Sequence, residues 1–384
     1  MSAAGQELQA EPLPQDPLRT IGQRRWQNFC ANRRAFWSLW IFLLLFGLSL
    51  IAEVLANDKP IIASYRGDWR FPIVSFYSEE SYGGEFRTEA EYADEVVVCL
   101  IKTGGIEDCL DDPEAVMEEA ATGTYAGEPV DAGWLLWPPI RYNFRTIDEN
   151  LGGPAPAPPS ARHLLGTDDQ ARDLLARVIY GFRISILFAI TVTFFASAIG
   201  IAAGAVQGYF GGLLDLFFQR IIEIWNSTPS LYVIIIIAAI IPMNFTILTT
   251  LIIAFSWTGL VGVVRAEFLR ARNFEYVRAA RALGVSDGRI MFRHVLPNAM
   301  VATLTFMPFI ITGAIGALSG LDFLGFGLPP SYPSLGEIAL QGKNNVTRPW
   351  LGFTAFFTFA IMLSLLVFIF EGVRDAFDPR KTFK

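Results

Sequence analysis

Histidine, cysteine and charge are all scarce in this chain: of 384 residues, two are His, three are Cys and 17% are charged. The two histidines, His163 and His294, are separated by long apolar runs. No Ser/His/Asp or Cys/His arrangement and no metal-ligand spacing is therefore in view, so neither a catalytic residue nor a metal site is expected. A G-x-x-x-x-G-K-[ST] phosphate loop is also absent, which removes ATP binding in that mode. No cofactor is implied.

Apolar residues are what the chain has in excess. They make up 52% of it, with 32 Phe and 9 Trp and a mean hydropathy of +0.39, too oily for a soluble domain. Crossing about 30 Å of hydrocarbon takes roughly 18 to 20 apolar residues at about 1.5 Å each. Six stretches qualify, near 36–56, 182–207, 214–241, 245–264, 298–320 and 351–371. The expected fold class is an all-α polytopic membrane protein with six transmembrane helices. The third stretch is unusual, because it carries Asp215, Arg220, Glu223 and a central Pro229. Charge at that depth is costly in lipid, so these residues are expected to pack within the bundle near its inner end. Val54-Leu55-Ala56 looks like a leader-cleavage site, but 35 residues precede the apolar run and the run exceeds a leader's core, so it reads as a retained span.

Basic residues orient the spans. Arg19, Arg24, Arg25, Arg33 and Arg34 precede the first, and Arg374, Arg380, Lys381 and Lys384 follow the last. Between the fourth and fifth lie Arg265, Arg270, Arg272, Arg278, Arg281, Arg289 and Arg293. All three groups belong in the cytoplasm, an arrangement six spans allow. The expected organisation is a cytoplasmic tail 1–35, a span 36–56, an extracytoplasmic segment 57–160, a core 161–371 with a cytoplasmic loop 265–297, and a second cytoplasmic tail 372–384.

The outside segment is acidic. Residues 58–165 hold 20 Asp plus Glu against 8 Lys plus Arg. That excess suits a plain solvated surface, and equally the capture of cationic ligands or of a basic docking face. GGPAPAPPS at 152–160 closes it as an extended linker. Cys99 and Cys109, alone together in an oxidising compartment, are expected to form a disulfide, while Cys30 stays reduced inside. Val96–Ile101 reads as a strand.

The loop YVRAARALGVSDGRIMFRHVLPN, 276–298, is the most informative stretch. Helix formers over 273–283 end at Gly284, the natural left-handed terminus. Ser286 then stands as N-cap of a second short helix to about Val295, and Pro297 follows where the next span begins. Two short helices joined by a fixed elbow make a docking element. Ala279 and Ala280 offer a smooth face.

This segment resembles the cytoplasmic EAA loop of binding-protein-dependent ABC importer permeases. Their pattern is E-A-A, three residues, Gly, nine residues, then I-x-L-P. Here it becomes Arg278-Ala279-Ala280, Gly284, and His294-Val295-Leu296-Pro297, with Arg278 in place of Glu and His294 in place of Ile. HLLGTDDQARDLLARVIYGFRISI (163–186), GYFGGLLDLFFQRIIEIWNSTPSLYVIII (208–236) and GLDFLGFGLPPSYPSLGEIALQGKNN (320–345) are similar to segments of oligopeptide and dipeptide permeases, with Asp322 where Ser is more usual. YGGEFRTEAEYAD (82–94) and WLLWPPIRYNF (134–144) resemble the longer permeases of microcin C and oligopeptide importers.

The resemblance implies an ABC importer type I permease fold with an inserted domain between the first two spans, in a bacterial inner membrane. It implies a non-catalytic subunit that pairs with a second, similar permease. It also implies an ABC ATPase gripping 273–297 through Arg278, Ala279, Ala280, Gly284, Leu296 and Pro297, and an extracytoplasmic peptide-binding protein above. The lipid bilayer surrounds it, and no nucleic acid is involved. The readings from other classes are an ion-coupled carrier, which the charge-free centres of the first, second, fourth, fifth and sixth spans disfavour, and a membrane-anchored receptor or scaffold.

Overall fold

The computed structural model describes residues 20–377. Arg19, Arg380, Lys381 and Lys384, counted above for orientation, lie outside the described residues.

Helix α1 (Ile21–Ala31) opens with a capping box, in which Thr20 and Gln23 satisfy each other's backbone N–H groups. Asn32 ends it and caps α2 (Arg33–Leu50), its Oδ1 accepting from the Ala35 N–H at 3.3 Å. A short α3 (Ala52–Leu55) leads into a mixed segment. There β1 (Ile62–Tyr65) lies between β2 (Asp68–Arg70) and β5 (Trp134–Leu136), both antiparallel to it. Against this sheet sits α4 (Glu95–Thr103), and α5 (Pro113–Ala120) packs on α4 and on a two-stranded ribbon of β3 (Thr124–Tyr125) and β4 (Glu128–Pro129). Tyr82, Val97, Leu100 and Ile101 form its core.

The strand expected over Val96–Ile101 is thus a helix. Its sequence holds the reason: Asp94 caps the start, its carboxylate accepting from the Val96 N–H, and Gly104 at φ +75° closes the end. Burial of Val97, Leu100 and Ile101 follows helical spacing and overrides β-branched propensity.

Residues 137–173 form no helix and are tied down by isolated bridges such as Ile147 with Arg172 and Thr167 with Asp173, and from Leu174 onward the chain is mainly helical. In order come α6 (Leu174–Phe210), α7 (Gly212–Ser227), α8 (Ser230–Ile240), α9 (Phe245–Ser256), α10 (Thr258–Ala271), α11 (Glu275–Ala282), α12 (Asp287–Arg289), α13 (Leu296–Phe323), α14 (Leu335–Asn344) and α15 (Pro349–Phe377). Among the described residues, five continuous stretches, 33–50, 174–210, 245–271, 287–323 and 349–377, are long and apolar enough to cross a membrane. The sixth expected span is broken: α7 and α8 meet at 62°. Pro229 disfavours helical backbone at Thr228 before it, so α7 stops at Ser227.

The main core joins α6, α9, α13, α14 and α15 through Phe188, Leu248, Ile315, Ile338 and Met362. Along another face of α6, Gly200, Gly204 and Gly208 let α10 approach with no side chain between. A Cβ at these positions would stand 2.5, 2.7 and 2.5 Å from the carbonyl oxygens of Trp257, Val261 and Arg265. Glycine at every fourth position thus lets the backbones meet.

Candidate functional site

Between α10 and α13 the chain folds back on the end of α6 that carries Phe210. Helix α11 ends in a Schellman arrangement: the Gly284 N–H donates to Arg281 O at 3.0 Å and the Val285 N–H to Ala280 O at 3.1 Å. Gly284 adopts φ +78°, and nothing lies within 4 Å of where a Cβ would stand, so the demand is on backbone conformation rather than space.

The second helix of this loop differs from expectation. Ser286 makes no side-chain cap, α12 is a single turn, and a π-helical turn over Ile290–Val295 carries the chain into α13 without a break. Pro297 sits where this π-helical turn joins α13, inside a continuous helical stretch rather than after a helix end. The elbow is joined directly to a long apolar helix.

Val277, Ile290, Met291 and Val295 are buried against Val264 and Phe268 of α10 and Ala205 of α6. The six residues matched to the permease pattern divide between two sides. Arg278, Ala279, Gly284 and Pro297 are exposed, whereas Ala280 and Leu296 are half-buried against this cluster, so the two alanines do not share one open face. Leu283 is 84% exposed and Phe292 72%, two large apolar side chains projecting from either side of the elbow. Sequence reading passed over both; for Leu283 the available signal was an apolar residue beside the helix-ending Gly284.

Tyr209, also overlooked, holds the loop to α6. Its hydroxyl donates to Asp287 Oδ1 at 2.5 Å and accepts from an Arg281 guanidinium N–H at 2.9 Å. Arg272 donates to Phe210 O at 3.3 Å. A recess of about 590 Å³ lies among Tyr209, Arg272, Arg281, Gly284 and Asp287. Asp215 accepts a two-pronged pair from Arg265, at 2.5 and 2.7 Å, which binds α7 to α10. The expectation of internal packing therefore holds for Asp215. It fails for Arg220 and Glu223, which are exposed and pair with each other.

At the other end of α6 a buried charge network ties it to α14. Asp168 accepts from Arg172 at 2.6 Å and lies 3.2 Å from Arg177, while Glu337 pairs with both arginines. Asp322 accepts the Leu328 N–H at 2.7 Å and the Ser334 hydroxyl at 2.5 Å, fixing the turn before α14. His163 stands between Asp148 and Asp173, at 2.9 and 2.8 Å, and Asp173 caps α6. Burial works to raise the Asp148 carboxyl, but the His163 hydrogen bond and the Asn150 N–H outweigh it and hold it below the ordinary value. Cys99 and Cys109 sulfurs are 2.02 Å apart. No group of three or more His, Cys, Asp or Glu able to hold a metal is found among the described residues.

This arrangement carries a partly apolar elbow on the end of a tightly packed helix pair. The profile of the "binding-protein-dependent transport system inner membrane component" family matches residues 196–383. The "peptidoglycan transport system permease protein YejE" of Agrobacterium fabrum is 53% identical over 386 residues, covering 94% of each chain. The chain belongs to this permease family. The E. coli K12 "inner membrane ABC transporter permease protein YejE" is 50% identical, over 95% of this permease and 98% of that protein. OppC, the "oligopeptide transport system permease protein" of Lactococcus lactis IL1403, is 36% identical over 61% of this permease and 81% of its own length. Residues 20–68 match the N-terminal transmembrane domain of oligopeptide transport permease C. Inward-facing MetNI methionine ABC transporter covers 53% of this permease and 96% of that chain, at TM-score 0.44 and 16% identity. The permease is a membrane component of the ABC transporter type rather than a catalyst.

Proposed function

We propose that this permease forms one half of the translocation path of an ATP-driven importer for oligopeptides and peptide-like compounds of the microcin C type, and that residues 273–297 are its coupling loop to a separate ATPase. The observation that carries the proposal is the elbow at Gly284, clasped to α6 by Tyr209 and flanked by the exposed Leu283 and Phe292. Large apolar side chains exposed on a rigid loop fit a protein groove better than water. Force applied there passes through α6 and α10, whose backbones touch, to the far end of α6, where Arg172 and Arg177 grip Glu337 of α14.

In this reading the tails 1–35 and 372–384 and the loop 265–297 are cytoplasmic, and residues 57–160 face outward, bridged by Cys99–Cys109. The acidic outer segment receives a peptide-binding protein, and a second, similar permease completes the path. Peptide-bearing cargo is what the relatives named for oligopeptide and peptidoglycan transport have in common. Arg278, where the related pattern has Glu, gives the docking contact a positive rather than an acidic group. An ion-coupled carrier is not favoured by membership of this permease family.

The test is reconstitution with the ATPase, partner permease and binding protein in vesicles. Uptake of labelled peptide that needs ATP, and that is lost with ATPase recovery in Leu283→Asp/Phe292→Asp, supports the proposal. Uptake without ATP or partners would install the carrier, and ligand binding with no uptake the receptor.

A further inference from the structure

The elbow between α1 and α2 has features that coupling does not use. A recess of about 390 Å³ there is lined by Ala31, Asn32, Arg33, Arg34, Phe368 and Glu371. We propose that this recess binds the phosphate headgroup of an anionic phospholipid in the cytoplasmic leaflet, an inference that rests on the orientation proposed above but not on the cargo.

Charge is the first argument. Arg24, Arg33 and Arg34 are exposed and have no carboxylate partner among the described residues, and Arg25 lies over the Phe377 ring at 4.1 Å. Glu371 is the acid on the recess wall, and it faces Arg374 at 3.7 Å. Unpaired guanidiniums in a recess suit a phosphodiester, which each can engage through two parallel N–H bonds.

Rigidity is the second. A Cβ at Gly372 would stand 2.2 Å from the Ala35 Cβ and 3.0 Å from the Phe29 ring, so α15 presses directly on both sides of the elbow. Phe29, Ala35 and Ala376 are buried together there. The two arginines therefore project from a fixed corner rather than from a loose tail.

The surroundings select a lipid over a soluble phosphate. Directly beyond Arg34, α2 exposes Trp37, Trp40, Ile41, Leu44 and Leu48. Tryptophan collects at headgroup depth, and the aliphatic face beyond it offers acyl chains a surface. A water-soluble anion would leave that surface unused. The capping box at Thr20 makes α1 a defined helix, and its exposed Trp26 can lie in the same interfacial plane.

The experiment is native mass spectrometry of the intact purified complex, titrated with phosphatidylglycerol or phosphatidylcholine. Three variants accompany it: Arg33→Gln/Arg34→Gln, the charge-keeping Arg33→Lys/Arg34→Lys, and Arg220→Gln/Arg270→Gln, which removes the same charge elsewhere. Wild type should retain phosphatidylglycerol preferentially, and the glutamine pair at 33 and 34 should weaken it by roughly tenfold or more, at about fivefold per arginine. The lysine pair and the distant pair should keep most of the preference. Equal loss in the distant pair, or no preference in wild type, would overturn the proposal in favour of diffuse charge. Displacement of lipid by millimolar inorganic phosphate would also overturn it, making the recess a soluble-anion site. Loss of ATPase with lipid retention unchanged would overturn it too, and assign the arginines to a protein contact.

Discussion

Replacing Gly204 with Ala adds one methyl to the seam between α6 and α10. The new carbon would stand 2.7 Å from Val261 O, 2.9 Å from Val264 Cβ and 3.1 Å from Arg265 N. Carbon atoms prefer about 3.5–4.0 Å, so α10 must retreat by roughly 0.7 Å or more. Tilting gives no relief, because Gly200 and Gly208 hold equally close contacts one turn away on either side. Overpacking of this kind costs about 1–3 kcal/mol, partly offset by the roughly 1 kcal/mol that Ala gains over Gly in a helix. Gly262, on α10, has nothing within 4 Å of its Cβ position, so Gly262→Ala should show the propensity gain alone. Thermal unfolding of the two purified variants in one detergent measures the difference, expected to be about 1–3 kcal/mol against Gly204→Ala. Because α10 leads into the loop, Gly204→Ala should also lower peptide uptake per ATP. Unfolding of Gly204→Ala at or above the temperature of Gly262→Ala would refute the close-seam argument.

Three further outcomes are expected. Gly284→Val should cost about 1–2 kcal/mol through the left-handed conformation and uncouple hydrolysis from uptake, read as ATPase turnover without transport; normal uptake at normal expression would count against it. Glu337→Leu should destabilise by roughly 3–5 kcal/mol, since the buried Arg172 and Arg177 would be left to share Asp168 as their one carboxylate partner among the described residues, whereas a detergent melting curve unchanged from wild type would show the network to be dispensable. For Asp148, a carboxyl held below its ordinary 3.8 stabilises the linker above that pH and loses this as pH falls through the lowered native value. Proteolysis within 148–163 should therefore rise only in that acid window, and Asp148→Asn should abolish the pH dependence.

Much of the membrane part was legible because span length and apolarity are local properties. Gly284 announced the elbow, whereas the stretch 214–241 was expected as one span although Pro229 carried the signal for the break between α7 and α8. Long-range pairings were not legible. Tyr209 meets Arg281 and Asp287 across 72 and 78 positions, and Arg177 meets Glu337 across 160, so no window of sequence contains both partners. The glycine repeat at 200, 204 and 208 was in plain sight, but only the approach of α10 gives it meaning. At Val96–Ile101 the composition favoured a strand, while the caps at Asp94 and Gly104 carried the better signal.

The central claim is that this chain works as the coupling half of an importer, and its most direct test is what travels with it. Purified from its own membrane in mild detergent, the permease should bring one similar permease and two ATPase domains, and the ATPase should be lost when Leu283, Phe292 and Gly284 are replaced. Recovery alone, or as a homo-oligomer with no ATPase, would contradict the account.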